Sequence, residues 1–243
     1  MSGAMATLAL FRDDAYLREC EARVTAVHEA GIELDRTVFY PLGGGQAGDT
    51  GCLVRADGTR VRIVDARKSK APEATPDDVV HVPEPGCALP AVGEVVRAEI
   101  DWERRHRMMR FHTASHLLCA VVPHQVDGCA VTDASARLDF VMTEPLEREA
   151  VQAGLDRLLA TAAVVSLRWI TDDEMRANPQ LVRSMSVQPP IGFGRVRLVE
   201  ISGIDLQPCG GTHVANLAEI GAVRVAKIEK KSAKTRRVTI EFV

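Results

Sequence analysis

From Asp101 to Val122 the sequence DWERRHRMMRFHTASHLLCAVV runs without a proline or a glycine. Its residues carry helical spacing, and its charges thin out toward the C-terminal half, so a long helix is predicted whose second half enters a core. The preceding sequence has a different character. Between about Thr7 and Ile100 it is cut into short runs. CEARVTAVHEAGIELDRTVFY holds two strand-like runs parted at Glu29-Ala30-Gly31. GCLVRADGTRVRIVDARKS reads as a hairpin turning at Asp57-Gly58, and PEPGCALPAVGEVVRAEID is a Pro/Gly-punctuated loop returning to a strand. Short strands at this spacing predict a small barrel. The helix therefore marks a change of architecture, between residues 1–100 and residues 101–243. The opening MSGAM is read as an addition ahead of Met5 and is set apart from the fold.

Beyond the helix, elements of both kinds alternate. ARLDFVM, VVSLRWI, RVRLVEI, VRVAKIEKK and RRVTIEFV read as strands. PLEREAVQAGLDRLLATA reads as a helix, and so does TDDEMRANP, where Thr171 is the N-cap and Pro179 the stop. The class is α+β, with a mixed α/β second half. The chain has 243 residues, 46% hydrophobic and 26% charged, enough for a substantial core. A net charge of −3 gives no global pull toward nucleic acid or membranes, so any nucleic-acid surface must be a local patch. No apolar run approaches a membrane span, and no signal peptide is recognised. The six cysteines are scattered, as in a reducing, cytoplasmic setting. Five read as ordinary small residues; Cys209 differs because of its neighbours.

His112 and His116 lie four apart in FHTASHLL, which puts both imidazoles on one face of the predicted helix. Cys209 and His213 lie four apart in PCGGTHV. One thiolate and three imidazoles make a borderline-soft donor set that suits zinc better than magnesium or calcium. Either pair alone would mean little; together they predict a metal site. The first pair is not a metalloprotease motif, because Thr113 stands where that motif needs a glutamate. GGGQAGDTG lacks the Lys-Ser/Thr of a P-loop, so no ATP site is expected.

FHTASHLL and PCGGTHV, preceded by YPLGGGQAGDTG, resemble the editing domain of alanyl-tRNA synthetase, and still more the free-standing AlaX relatives. ARLDF, DLQPCGGTHV and the basic C-terminal strand follow in the expected order, so the resemblance covers nearly the whole chain. It implies a small N-terminal β-barrel joined to an α/β editing domain, as in the domain common to alanyl- and threonyl-tRNA synthetases. It also implies a zinc-dependent deacylase that acts in trans on tRNA(Ala) mischarged with serine, or with glycine. The alternative is a tRNA-binding module whose zinc is structural. The resemblance places Gly43, Gly44, Gly45 and Gln46 toward the substrate's 3′ end, along with Ser115, Thr132 and Gln207. Ser115 stands where the synthetase's editing domain commonly has threonine, and Thr132 where it has glutamine. No general base is assigned. Two basic runs are candidates for phosphate contact: Arg104, Arg105, Arg107 and Arg110 before the first ligand, and Lys230, Lys231, Lys234, Arg236 and Arg237 near the end.

Overall fold

The computed structural model describes residues 7–72, 74–182 and 191–243; the MSGAM opening lies outside them. The chain divides into two compact units. One comprises residues 1–43 and 47–106, the other residues 44–46 and 107–243. The glycine-rich stretch is thus split, with Gly43 in the first unit and Gly44–Gln46 in the second.

The first unit is built on β1 (Leu8–Ala9), β2 (Glu19–His28), β3 (Gly31–Leu34), β4 (Arg36–Thr37), β5 (Gly51–Arg55), β6 (Arg60–Lys68), β7 (Val79–Pro83) and β8 (Val95–Ile100). Six of these close a barrel in the order β2-β3-β7-β6-β5-β8, and β1 pairs in parallel with β4. Strand alternation builds the interior. On β6, Val61 and Ile63 are buried while Arg60 and Arg62 face out; on β8, Val96 and Ala98 point inward. The β5–β6 hairpin turns at Asp57-Gly58 as its sequence predicts, with Gly58 at φ 85°.

Two polar clusters sit inside this unit. His81 is fully buried, with Nδ1 3.0 Å from the Ile32 carbonyl and Nε2 2.8 Å from the Thr37 hydroxyl. A carbonyl can only accept, so Nδ1 carries the proton and Nε2 accepts from Thr37. Arg105 is also fully buried. Its guanidinium pairs with Asp49 and donates to the carbonyls of Ala15 (3.0 Å) and Val38 (2.7 Å). Sequence placed Arg105 in a candidate phosphate-binding run. Its donors are instead spent on one carboxylate and two carbonyls of the interior.

Helix α1 (Trp102–Val121) is the long helix the sequence predicts. In the second unit its apolar residues Met108, Met109, Phe111, Leu117 and Leu118 are fully buried. A sheet in the order β14-β15-β10-β9 packs on it, made of β9 (Val126–Val131), β10 (Ala136–Val141), β14 (Val223–Ser232) and β15 (Thr235–Phe242). Phe111 stacks on Phe242 with ring centroids 3.8 Å apart. Helix α2 (Arg148–Leu159) brings Gly154 against Val121, where a Cβ would come within 2.7 Å of a valine methyl and force it to shift. A second sheet, β11-β12-β13, is antiparallel: β11 (Val165–Thr171), β12 (Arg195–Ile201) and β13 (Asp205–Pro208). Between β11 and β12 lies α3 (Asp172–Ala177), with Thr171 as N-cap and a complete capping box to Glu174. Strands β9 and β13 have no counterpart in the sequence reading.

Candidate metal centre

The last strand of the second sheet delivers one half of the site. Strand β13 ends at Pro208, and the chain turns through Cys209-Gly210-Gly211. Arg197 of β12 pins that turn, its Nη1 donating to the carbonyls of Cys209 and Gly211, both at 2.8 Å. Helix α1 delivers the other half, with His112 and His116 one turn apart. A Cβ on Gly211 would lie 2.0 Å from Cε1 of His112, so a side chain there is incompatible with the ring.

The four side chains converge. One ligand atom from each of His112, His116, Cys209 and His213 lies within 4.8 Å of every other. Cys209 Sγ is 3.5 Å from His112 Nε2 and 3.3 Å from His213 Nε2. Two ligands on one tetrahedral zinc, one nitrogen and one sulfur, stand roughly 3.5 Å apart, given bond lengths of about 2.0–2.1 and 2.3 Å. The spacing and the donor set both fit a metal ion. Burial would raise the Cys209 thiol, but His112 and His213 beside it outweigh burial and hold it well below its usual range. Burial likewise opposes a charged His116, yet Asp205 and Cys209 prevail and raise it to about 9. Burial lowers His213 to about 3.

Each histidine is held from behind. His112 Nδ1 lies 2.7 Å from Gln46 Oε1, His116 Nδ1 lies 3.0 Å from Asp205 Oδ2, and His213 Nδ1 lies 3.1 Å from Thr113 Oγ1. The Thr113 hydroxyl donates to the Met109 carbonyl, so toward His213 it accepts. Gln46 and Thr113 therefore fix Nδ1–H tautomers on His112 and His213, which turn Nε2 toward the sulfur, while His116 Nδ1–H donates to Asp205 with Gln207 Nε2 also 3.1 Å from that nitrogen. None of these holders was assigned this task from sequence. Their only signal was position: Thr113 inside FHTASHLL, Gln46 closing GGGQ, and Asp205 ahead of PCGGTHV.

The remaining candidates scatter. Gln207 donates to Asp205 at 2.7 Å, so it supports the His116 holder. Ser115 is buried on α1, and its hydroxyl donates to the Phe111 carbonyl. The Thr132 hydroxyl is taken up in a turn, donating to Ser135 and accepting from the Ala134 and Ser135 amides. Gly45 has φ 84°, and a Cβ there would lie 2.3 Å from the Cys129 sulfur. The carbonyls of Gly43, Gly44 and Gly45 accept from Tyr40, Cys129 and Val131 respectively. In the basic C-terminal run, Arg237 and Lys231 both pair with the buried Asp139. Arg236 is buried, its guanidinium on the carbonyls of Thr143, Ser232 and Thr235. Lys230 and Lys234 are exposed.

A barrel unit and a unit with a three-histidine, one-cysteine cluster define a chain of the class that accompanies alanyl- and threonyl-tRNA synthetases. The family described as the threonyl and alanyl tRNA synthetase second additional domain matches residues 196–239, and class II (A) tRNA synthetases match residues 4–104. The chain is 33% identical over 231 residues to an alanine–tRNA ligase of Saccharolobus islandicus (strain L.S.2.15 / Lassen #1) and 36% identical over 237 residues to that of Metallosphaera sedula. Each alignment covers 91% of this chain, which spans about a quarter of those ligases. It is 34% identical over 245 residues to the alanyl-tRNA editing protein AlaX-M of Methanosarcina mazei, covering 96% of this chain and 95% of that protein. The chain belongs to the AlaX family of alanyl-tRNA editing proteins. Among the described residues, no helix is long and apolar enough to cross a membrane.

Proposed function

We propose that this protein is a deacylase that hydrolyses the ester of tRNA(Ala) mischarged with serine, in trans, at a zinc ion held by His112, His116, Cys209 and His213. The convergence of these four side chains, with each imidazole tied at Nδ1, carries the reading. Residues 1–100 form the barrel part of this reading and residues 101–243 the editing part, acting in the cytoplasm, where charged tRNA is used. Zinc, when bound, supplies a Lewis acid against an ester carbonyl or a water. The protein's own contribution is orientation: Asp205, Thr113 and Gln46 keep the imidazoles fixed. Gly44 and Gly45 let backbone rather than side chains approach the terminal adenosine. Ser115, one residue before His116, is the hydroxyl we assign to recognition of serine, since its oxygen can accept while donating to Phe111. Thr132 is spent in its turn, and we assign it no contact.

Selectivity follows from hydrogen bonding. A synthetase cannot strongly reject serine by size, because serine adds only a hydroxyl to alanine. A second site that pairs that hydroxyl can discriminate, since alanine leaves its polar groups unpaired. Serine esters should therefore be cleaved, glycine esters less readily, and alanine esters spared. One observation favours a second reading: four protein ligands would fill a tetrahedral ion, as in structural zinc sites. Deacylation of serine, glycine and alanine esters on one tRNA(Ala) separates the two readings. Cys209→Ala and His116→Ala should abolish hydrolysis, whereas Cys119→Ala, on the same helix, should not. Binding of tRNA without hydrolysis by the zinc-loaded protein would establish the structural reading.

A further inference from the structure

Gln46 is wholly buried, and its amide is engaged at both ends. Oε1 lies 3.0 Å from the Thr212 backbone nitrogen and 2.7 Å from His112 Nδ1, and Nε2 lies 2.9 Å from the Thr212 hydroxyl. The orientation of this amide is forced. A backbone N–H can only donate, so the atom facing Thr212 N is the carbonyl oxygen. That oxygen then faces His112 as an acceptor, so His112 Nδ1 must carry the proton and Nε2 must present a lone pair. Residue 212 adjoins His213 and lies three after Cys209, while His112 is on α1. One side chain therefore touches both ligand-bearing segments, which are about a hundred residues apart in sequence. The backbone beside it is anchored too, with the Val131 amide donating to the Gly45 carbonyl at 2.8 Å.

From this geometry we infer that Gln46 is a positioning residue for the metal, which selects the His112 tautomer and locks the His112 segment to the Cys209–His213 segment. This assigns GGGQ a task beyond approach to substrate, and its side chain, buried and bonded through both amide atoms, is not the part that meets the ester. The inference rests on the reading of the four side chains as zinc ligands.

The test is zinc affinity, measured by chelator competition on the full chain, with cobalt-substituted spectra as a second readout of the ligand set. Gln46→Ala should weaken zinc binding roughly 10–100-fold and alter the cobalt bands. Gln46→Glu should stay near the parent affinity. Its carboxylate still accepts from His112 Nδ1–H and Thr212 N–H, and the Thr212 hydroxyl can rotate to donate to the second oxygen. A requirement for volume or packing alone would not distinguish the tautomer. Long-range proton–nitrogen NMR of histidine-labelled parent protein reads it directly and needs no variant to fold. His112 protonated at Nδ1 supports the inference; His112 protonated at Nε2 overturns it. Equal zinc affinity in the parent and Gln46→Ala also overturns it while leaving the zinc reading intact. A parent protein that binds no zinc overturns both.

Discussion

Arg105 shows how far a single residue can depart from the fate its neighbours suggest. It sits in ERRHRMMR, between charged residues, yet it is fully buried on Asp49. Two unit charges taken from water cost several kcal/mol each, and the pair is tolerable because each guanidinium nitrogen and both carboxylate oxygens find a partner. Asp49 also accepts from the Tyr40 amide at 2.6 Å, and the Ala15 and Val38 carbonyls accept from Nη1 and Nη2 of the guanidinium. Removing one partner strands the other. Arg105→Ala should therefore cost about 3–5 kcal/mol of stability, measured by urea unfolding. A cost within the range of an ordinary surface substitution would show that water reaches Asp49 and that the pair is not the anchor described.

At the scale of elements, His81 joins three strands: it lies on β7 and bonds β3 through Ile32 and β4 through Thr37. Burial lowers its imidazole from 6.5 to about 4. The unfolded chain takes up a proton below pH 6.5 that the folded chain refuses until about pH 4. The associated stability is thus fully present above 6.5 and is lost as pH falls through that window, by about 3 kcal/mol. Urea unfolding from pH 7 to pH 4, compared with His81→Gln, should show the parent losing that much more than the variant. Parallel losses would mean that the folded ring takes up its proton as readily as the unfolded one, so that burial does not hold it neutral. Elements of this kind were readable where their cues were local. The α1 helix has no breaker, the β5–β6 hairpin has Asp57-Gly58, and α3 has its N-cap Thr171 and its stop at Pro179. The barrel followed from turn spacing. Strand β13 was missed because DLQP is too short for an alternating pattern, and its pairing with β12 is a tertiary choice. The four-residue spacings of His112/His116 and Cys209/His213 exposed the ligands. The partners of their Nδ1 atoms stayed hidden, because a glutamine 66 positions from His112 leaves no periodic trace in sequence.

For the whole molecule, the proposed function requires a chain of net charge −3 to meet a polyanion. The sequence offered five cations near its end as one group, and the structure sorts them by what they already touch. Asp139 is buried between Arg237 and Lys231, and these partners hold its carboxyl down at about 2. Arg236 is committed to backbone carbonyls. Those three hold β10, β14 and β15 together, so charge removal there should register as lost stability. Lys230 and Lys234 are exposed and free to neutralise phosphates. Each phosphate contact releases counterions, so each lysine lost should lower the salt slope of binding by about 1. The double variant Lys230→Ala/Lys234→Ala should therefore bind tRNA(Ala) more weakly, flatten the slope by about 2, and unfold like the parent. Arg236→Ala should unfold more easily and keep the parent slope once corrected for the folded fraction. Binding at four or five salt concentrations, with urea unfolding of the same samples, measures both. An unchanged slope in the lysine pair would remove this face from the tRNA contact and return the two lysines to ordinary solvated charge.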